Sequence, residues 1–561
     1  MTIIGKVRKG NAGKAFGYIA VIALCAIAMS PKSMASTVAY WPLAGENGVR
    51  TTDSIVFPNE GSGGAMNAVP ATIRAWYGSI NKTEPYPCTD DYYKYFPIGT
   101  NAFPAAFGVY DPVANVNKAA ATGLYFDSYT QNWWSQKNIA TYPGVLRVVD
   151  PDALKLTTFT VEFFLRPDVS KSSLWQYITA MPYENVNAGE SGKESWSVGI
   201  SNASAMFVGF TTTGDNRSTC VGSTVKLFDN RWHHFALTVS GTSLKIYFDY
   251  VLVGTKMLPD EIVYKADSDL FIGGTTHNIM SYYGQMAHFR VSDEALTSDK
   301  FLHFTRTARA ADEPADVVFH LDFEPVDGIS TNNAVVFNRV ATGSAVHLHT
   351  ADNSTYAGYA KFDTGVYTNK IYSSRKDRKG KDSTRIFSKT SSNQENPYLS
   401  WYPDEDIFHN YSFTVEMFEW ASSFSNWGTF LKRRRSSSTS SQFALCINNK
   451  SKKLMAVIAG NSGITDTMTI DDNTWHHIAV VCDKTNGTYT FFRDWGQTGS
   501  ASLSADIKAI EGYPPIVFCG DPGDNTYFVG KLGDVRITKR ALGVKEFLTP
   551  ECAHGLIIFV Q

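Results

Sequence analysis

Two tryptophan-histidine-histidine motifs are the part of this sequence that most directly suggests metal chemistry. They occur at Trp232–His234 and Trp475–His477, and imidazole is a common ligand of transition metals. Each motif opens an apolar run that predicts a strand, and adjacent side chains of a strand point to opposite faces. The two histidines of a pair therefore cannot converge on one ion. We predict that the tryptophans pack and the histidines form hydrogen bonds, so that both motifs are structural.

Two pairs of adjacent aromatic residues suggest sugar recognition instead. Trp133 and Trp134 follow a Gln and an Asn, and Tyr282 and Tyr283 lie in the loop after an Ile-Gly-Gly segment. An exposed aromatic ring stacks on the apolar face of a pyranose, while neighbouring polar groups bond its hydroxyls. We predict these four residues as ligand-binding residues. The alternative is that each pair packs in a core or within an insertion.

The elements that must position these residues occur twice in the chain. Three blocks recur in the same order: Phe159–Phe164 as Phe413–Phe418, Phe228–Val239 as Ile470–Val481, and Gly284–Val291 as Gly530–Ile537. Long-range self-similarity of this kind indicates that one structural unit has been repeated. The sequence therefore predicts two homologous domains.

Each unit has the pattern of short strands and turns. Apolar residues alternate in runs such as Phe159–Leu165, with Gly, Asn, Asp and Pro between the runs, and long helical patterns are nearly absent. We predict an all-β chain whose first domain is 36–307 and whose second is 316–553. A Tyr-, Phe- and Pro-rich insertion at about 51–121 interrupts the first domain, and long insertions are often functional.

Several motifs in a fixed order carry a resemblance to a known family. A Phe-Asp strand and a Phe-Thr-Val-Glu strand are followed by the Trp-His-His turn, a Tyr-x-Asp strand at Tyr247–Asp249, and a closing strand that contains Arg-Val or Arg-Ile. This order resembles the laminin-G-like jelly roll of the concanavalin A-like lectin/glucanase superfamily. The family usually places Gly after Tyr-x-Asp, but Tyr250 stands there in the first copy and Trp495 in the second.

The resemblance implies a binding function more than a catalytic one. The superfamily includes lectins, carbohydrate-binding modules, adhesion domains and some glycosidases. Its glucanases carry a Glu-x-Asp-x-Glu strand, which places an acid/base and a nucleophile on one face. No such run occurs in this sequence, because Glu162 and Glu416 stand alone in their strands. The acidic run Asp404–Asp406 has a different spacing in a Pro-containing loop, where we expect it to cap a turn.

The resemblance also implies calcium, which related jelly rolls often hold through clustered oxygen ligands. In the second domain, Asp322 and Glu324 on the opening strand would meet Asp534 near the closing strand if these two strands pair. The equivalent positions of the first domain carry two apolar residues and His288. We therefore predict a calcium site in the second domain alone. The alternative is that these acids are solvated on a sheet edge.

The N terminus resembles a secretory signal peptide, residues 1–35. Four basic residues precede an apolar run, which ends at the small-residue pattern Ser33-Met34-Ala35. Cleavage removes five basic residues and no acid, so the net charge falls from −2 to −7. An acidic chain is a poor partner for nucleic acid. We predict an exported protein, in the periplasm, at the cell surface or outside the cell, without a transmembrane segment.

Cysteines and basic clusters complete this picture. An oxidising compartment favours disulfides. One bridge would join Cys88 to Cys220, and two would form among Cys446, Cys482, Cys519 and Cys552, which allow three connectivities. The basic cluster Lys432–Arg435 lies beside Ser-rich sequence and is predicted to be a solvated loop. Contact with an acidic glycan is the alternative.

These observations favour an exported, non-catalytic protein that recognises a glycan or glycoconjugate. The second hypothesis is a surface or structural protein whose sandwiches mediate protein contacts. A glycosidase of the glucanase type is the third.

Overall fold

Nearly all regular structure in the chain is β-strand. The computed structural model describes residues 36–549 apart from several segments, of which the longest are 71–106, 127–144, 183–193, 350–359, 364–383 and 388–397. The predicted signal peptide, 1–35, lies outside the described residues. Among those residues the one α-helix is the single turn α1, Ile407–Asn410. No described helix is long and apolar enough to cross a membrane.

The first half of the chain forms two main sheets. Its strands are β1 Thr37–Trp41, β2 Val49–Arg50, β3 Ile55–Val56, β4 Ala68–Pro70, β5 Phe107–Asp111, β6 Val116–Lys118, β7 Leu124–Phe126, β8 Leu146–Val148, β9 Thr158–Pro167, β10 Gln176–Pro182, β11 Glu194–Ile200, β12 Ala205–Thr212, β13 Asn216–Thr224, β14 His233–Ser240, β15 Ser243–Phe248, β16 Val251–Met257, β17 Leu270–Ile272, β18 Gly284–Ser292 and β19 His303–Arg306. The front sheet has the order β1-β18-β9-β14-β15-β16, with β7 also on β18. The back sheet has the order β13-β12-β11-β10-β17-β8-β4.

The second half repeats this arrangement. Its strands are β20 Val317–Leu321, β21 His347–His349, β22 Ala360–Asp363, β23 Thr384–Phe387, β24 Tyr398–Trp401, β25 Phe413–Ala421, β26 Gly428–Arg434, β27 Ser441–Ile447, β28 Lys453–Ile458, β29 Ile464–Thr469, β30 Trp475–Asp483, β31 Thr488–Arg493, β32 Gly496–Ser502, β33 Ile516–Phe518, β34 Gly520–Asp521, β35 Thr526–Tyr527 and β36 Gly530–Thr538. The front sheet runs β22-β23-β36-β25-β30-β31-β32, with β20 also on β36. The back sheet runs β21-β24-β33-β26-β27-β28-β29.

Register confirms that the two halves are copies of one antiparallel sandwich. In the first, Glu162 of β9 lies opposite Ala236 of β14 on one side and Arg290 of β18 on the other. In the second, Glu416 of β25 has the same two kinds of neighbour, Ala479 and Arg536. Alternate residues of each strand fill the space between the two sheets, as in other packed β-sandwiches. The predicted all-β, tandem jelly-roll fold is therefore confirmed, while the limits 36–307 and 316–553 stay predictions.

The two sandwiches pack against each other through the outer face of the first front sheet. Strand β5, which belongs to the predicted insertion, pairs with β19 and with β6 to form a small sheet over this face. The Phe107 ring of β5 lies 5.1 Å from the Phe337 ring of the second half. The backbone N–H of Trp232 donates to Gly328 at 2.8 Å, and Ser330 N–H donates back to Trp232 at 2.8 Å. The described part of the insertion thus contributes packing between the domains.

The predicted disulfides are wrong for the cysteines that the structure describes. Cys220, Cys446, Cys482 and Cys519 are all buried thiols outside any disulfide. Cys482 packs in the core between the sheets, whereas Cys446 points the other way and its Sγ lies 3.7 Å from the carbonyl oxygen of Met455. Thiols on opposite faces of their sheets cannot meet, because a disulfide needs its Cβ atoms within about 4.5 Å. Cys88 and Cys552 lie outside the described residues.

The basic cluster Lys432–Arg435 is not a solvated loop. Lys432 and Arg434 belong to strand β26 and form ion pairs with Asp521, at 2.6 and 2.9 Å. Arg433 is buried beside Asp406, and Arg435 pairs with Glu511 at 3.0 Å. Each cation therefore has an acidic partner within the same sandwich, which leaves little unpaired charge for an acidic glycan.

Candidate functional site

The second histidine of each Trp-His-His motif belongs to a buried polar network. In the first sandwich, Glu162 accepts hydrogen bonds from Arg290 Nε at 2.7 Å, from His234 Nε2 at 2.9 Å and from the Leu302 N–H at 2.7 Å. Burial opposes ionisation of Glu162, but Arg290 and His234 outweigh it and hold the pKa of the carboxyl below its usual value. Asp111 from β5 adds a second carboxylate, 2.6 Å from Arg290 Nη1.

The second sandwich reproduces this network almost atom for atom. Glu416 accepts from Arg536 Nε at 2.7 Å, from His477 Nε2 at 3.0 Å and from the Leu548 N–H at 2.7 Å. Burial again opposes ionisation, and the bond from His477 with the charge of Arg536 keeps the pKa of Glu416 low. Both oxygens of each glutamate are occupied inside the protein. Glu162 and Glu416 are therefore structural groups that a substrate cannot reach.

The first histidine of each motif points the other way and has its own partner. His233 Nδ1 lies 2.9 Å from Asp249 Oδ2, and its Nε2 lies 3.1 Å from Asp229 Oδ1. Burial lowers the pKa of His233, but the two carboxylates outweigh it and raise the pKa to about 9. His476 Nδ1 lies 2.8 Å from Asp494 Oδ2. The predicted structural role of the histidine pairs is confirmed.

The turn that lacks the family's glycine serves the same network. Asp249 and Tyr250 have φ values of 46° and 67°, and Asp494 and Trp495 have 48° and 64°. Two successive left-handed residues form a type I′ hairpin turn, which costs about 1–2 kcal/mol per non-glycine residue. This turn conformation places an aromatic ring against each buried histidine. Tyr250 stacks on His234 at 4.7 Å, and Trp495 stacks on His477 at 5.2 Å.

The sequence predicts that the acidic run Asp404–Asp406 caps a turn, but its side chains bond to distant segments, and Asp406 makes no side-chain capping bond to α1. Asp404 accepts from the Gly343 N–H at 2.7 Å, and Asp406 accepts from the Ile510 N–H at 2.9 Å. Glu405 pairs with Lys539 at 2.8 Å. These carboxylates are held by three different partners, and they do not form the facing pair that glycoside hydrolysis requires.

The predicted sugar platform is not exposed where the structure describes it. Tyr282 is fully buried, and its hydroxyl donates to the Gln285 carbonyl at 3.0 Å. Tyr283 is also buried, and its N–H donates to the Gln176 side chain at 3.0 Å. A backbone bond from the Tyr282 N–H to Gly273 holds this segment against the back sheet. These rings pack inside the sandwich, and Trp133 and Trp134 lie outside the described residues.

A different aromatic surface lies on the outer face of the first back sheet. Ile178 and Val208 face the core, so their strand neighbours Tyr177 and Phe207 face outward. Trp175 precedes them at the start of β10 and is 43% exposed, and its ring lies 5.3 Å from Phe207. Tyr177 lies edge-on to Phe207 at 5.4 Å. We name Trp175, Tyr177 and Phe207 the aromatic row.

A glycine lets the Phe207 ring of the aromatic row lie close to the sheet. Gly199 of β11 lies between Tyr177 and Phe207 in the strand register. A Cβ at position 199 would come within 2.3 Å of Phe207 Cζ, so any larger residue would lift the ring. Val221 of β13, opposite Phe207, extends the row and is 59% exposed.

Two serine hydroxyls lie beside the aromatic row. Ser197 and Ser195 are two and four residues before Gly199, so they share its outward face. Both are buried, and neither Oγ has a hydrogen-bond partner among the described residues. Buried polar groups without a partner call for an explanation such as a ligand or a water molecule. Sequence reasoning missed this surface, although the spacing of Trp175 and Tyr177 in a period-two run was a usable signal.

The described residues do not fit the predicted calcium site. The opening and closing strands do pair, with Leu321 opposite Val535. Asp322, however, binds Arg339 at 2.6 Å, so a guanidinium already supplies the positive charge that calcium would bring. Asp534 is buried in β36, and Glu324 lies outside the described residues. No group of three or more His, Cys, Asp or Glu residues in the described part of the chain has the arrangement of a metal site.

Comparison with protein families identifies the class. The family model of the concanavalin A-like lectin/glucanases superfamily matches residues 144–300 and 392–546. The two matches together cover more than half of the sequence, one in each sandwich, and the chain belongs to this superfamily. No curated protein matches the chain.

Among solved structures the chain has distant likenesses. A sialidase carbohydrate-binding module from Ruminococcus gnavus, bound to α2,3-sialyllactose, is 15% identical with a TM-score of 0.23, over 25% of this chain and 82% of that one. The LG4-5 domains of the mouse laminin α1 chain are 13% identical with a TM-score of 0.19, over 70% and 86%. Domain 4 of an extracellular arabinanase from Geobacillus stearothermophilus, in complex with arabinotriose, is 13% identical with a TM-score of 0.28, over 42% and 97%.

Proposed function

We propose that the protein is a non-catalytic binding protein that recognises a glycan or glycoconjugate through the aromatic row. The observation that carries the proposal is Trp175, a large apolar side chain that is 43% exposed beside Tyr177 and Phe207. Large apolar side chains grouped at a protein surface mark interaction sites. An exposed aromatic ring, such as that of Trp175, is complementary to the apolar face of a pyranose ring.

The aromatic row and the occupied glutamates suit a ligand that is bound without hydrolysis. Specific sites combine an apolar floor with a few polar groups that fix orientation. Trp175, Tyr177 and Phe207 supply the apolar floor. The full occupation of Glu162 and Glu416 supports binding without hydrolysis. The signal-like segment 1–35 supports export, where such ligands are displayed.

Glycan-array binding followed by titration calorimetry tests the proposal. Trp175→Ala should reduce affinity for a glycan hit at least about tenfold, because loss of one stacking ring removes about 1.4 kcal/mol or more. Tyr402→Ala is the matched control, since Tyr402 is 46% exposed but belongs to the second sandwich. Far-UV circular dichroism should be unchanged for both variants. Equal binding by Trp175→Ala and the natural protein would contradict the assignment of the site.

Protein adhesion is the second candidate, and one observation favours it. Leu174 and Val221, at the two ends of the row, are 41% and 59% exposed, and such apolar side chains suit a protein partner better than a sugar. An array without signal, together with capture of one cell-surface protein that Trp175→Ala and Val221→Ser both abolish, would favour this function over glycan binding.

A further inference from the structure

Three histidines form a continuous series of ring contacts across the junction of the two sandwiches. His303 of β19 belongs to the first sandwich, and His347 and His349 of β21 belong to the second. The ring centroids of His303 and His347 are 4.6 Å apart, and those of His347 and His349 are 4.4 Å apart. Tyr250 continues the series of ring contacts on one side, 4.6 Å from His303, and Tyr398 continues it on the other, 4.2 Å from His349. We name the three histidines the junction histidines.

The surroundings of the junction histidines favour the neutral ring. His303 and His347 are buried, and their Nε2 atoms have no hydrogen-bond partner among the described residues. His349 Nε2 lies 2.7 Å from the Ser400 hydroxyl, which can accept or donate. An imidazolium needs acceptors for both of its N–H groups, and a buried charge without a partner is costly. Two charged rings less than 5 Å apart would also repel each other.

The charged groups around the junction histidines do not offset the cost of a charged ring. The first sandwich presents His234 and its partner Glu162, together with Asp299, which lies on an exposed turn. In the second sandwich, His347 faces His349 and also His303 of the first sandwich. Burial is the chief cause that lowers the pKa of His303 to about 3 and that of His349 to about 4, although Asp299 opposes it in both. Burial, with the charges of His349 and His303, lowers the pKa of His347 well below its usual value.

We propose that the junction is an acid-sensitive latch, which holds the two sandwiches together at neutral pH and releases them when the junction histidines take up protons. An unfolded or exposed histidine has a pKa near 6.5, so the separated state binds more protons than the packed state at mildly acid pH. The closed junction is therefore most stable above about pH 6.5 and weakens as the pH falls. Between the pKa values of the closed and open states, each one-unit fall in pH raises the ratio of open to closed protein about tenfold for each histidine that takes up a proton.

The networks around His233, Glu162 and Glu416 are less sensitive to mild acid than the junction histidines. His233 is charged in the folded protein because its pKa is raised to about 9, so acid does not disturb it. The pKa values of Glu162 and Glu416 are held low by their cationic neighbours, so these carboxylates persist to lower pH. Junction opening should therefore precede unfolding of the sandwiches. Opening would expose the face that Phe107 and Phe337 now cover.

Small-angle X-ray scattering of the full chain from about pH 7.5 to about pH 4 tests the latch. The radius of gyration should increase reversibly while the far-UV circular dichroism stays constant. A His303→Phe/His347→Phe variant keeps the rings but cannot take up these protons, and its opening should move at least about one pH unit lower. His409→Gln, an exposed histidine on α1, should open at the natural pH. A constant radius until the dichroism is lost, or an unchanged midpoint in the double variant, would overturn the proposal.

Hydrogen exchange on the natural protein gives a second test that needs no variant. At about pH 5, protection should fall in β5, β19 and residues 326–348, while β9 and β25 keep theirs after correction for the intrinsic exchange rate. Uniform loss of protection across both sets would show that acid unfolds the sandwiches directly, and the latch would be excluded.

Discussion

Glu162 lies 2.9 Å from His234 and 2.7 Å from Arg290, and in the other sandwich Glu416 lies 3.0 Å from His477 and 2.7 Å from Arg536. The two interiors have therefore kept the same network. Loss of either partner of a buried ion pair leaves an uncompensated charge, which costs about 3–5 kcal/mol. A network of this kind constrains every member at once, so the whole set is expected to remain or to be lost together.

The outer faces of the two back sheets have diverged instead. Strands β10 and β26 bulge at equivalent places, just after Tyr177 in the first sandwich and just after Thr429 in the second. In the strand register, Thr429, Cys446 and Met455 therefore replace Tyr177, Gly199 and Phe207. The second sandwich has no counterpart of the aromatic row at these positions, and Lys432 and Arg434 occupy the same strand with their acidic partners. The shared interior serves the architecture, and the proposed function places recognition on the unshared face.

The largest effect should come from removal of the buried arginines. Arg290→Met removes the cation that lies between two carboxylates, Glu162 and Asp111. Arg536→Met removes the cation beside one carboxylate, Glu416, and the Arg536 side chain is 12% exposed. We expect Arg290→Met to cost about 3–5 kcal/mol of unfolding free energy and Arg536→Met clearly less. Urea denaturation followed by tryptophan fluorescence measures both. Equal losses would mean that Asp111 adds nothing to the first network.

The next largest effect should be the pH dependence of the first histidine of each motif. The folded pKa of His233, about 9, exceeds the unfolded value of about 6.5. Its stabilising contribution is therefore fully present below about pH 6.5 and is lost as the pH rises towards 9. His233→Gln should cost up to about 3 kcal/mol more at pH 6 than at pH 9.5.

His476→Gln is the matched variant for this pH test. His476 is the equivalent of His233, and Asp494 lies on its Nδ1 as Asp249 lies on that of His233. We expect its cost to change with pH in the same direction in thermal-melt measurements, because a carboxylate on Nδ1 favours the charged imidazole. A His233→Gln cost that does not vary with pH would contradict a charged His233 in the folded protein.

Much of the architecture could be predicted from the sequence because the repeat carries the interior. Phe159, Val161 and Phe163 alternate, and the histidine pairs open strands, so period two alone implied opposite faces and separate partners. The partners themselves could not be predicted. Glu162 and Arg290 are 128 positions apart, and only strand order brings β9 and β18 together.

The candidate site was less accessible to sequence reasoning. Tyr282 and Tyr283 resemble an exposed pair, and their burial depends on the backbone bond to Gly273, which no local pattern reveals. Trp175 stands at the start of a strand whose inward and outward faces both carry apolar residues, so hydrophobicity alone does not single it out. The disulfide prediction failed because a count of cysteines does not give the distances between their Cβ atoms.

The smallest predicted effect concerns the glycine beneath the aromatic row. Gly199→Ala places a Cβ 2.3 Å from Phe207 Cζ and 2.6 Å from the Gln176 carbonyl oxygen, so the ring and the strand must both shift. We expect a cost of about 1–3 kcal/mol and weaker glycan binding. Cys446→Ala, at the matching register position, removes one sulfur from the diverged face and should cost less, without any effect on binding.

The two variants together test whether recognition needs the position of Phe207 in the aromatic row, and not only the stability of the first sandwich. Binding should therefore be measured below the melting temperature of Gly199→Ala, where the variant is fully folded. Affinity that recovers completely under those conditions would mean that Phe207 can move without harm to the site. Persistent loss, with natural affinity in Cys446→Ala, would locate recognition on the face that the two sandwiches do not share.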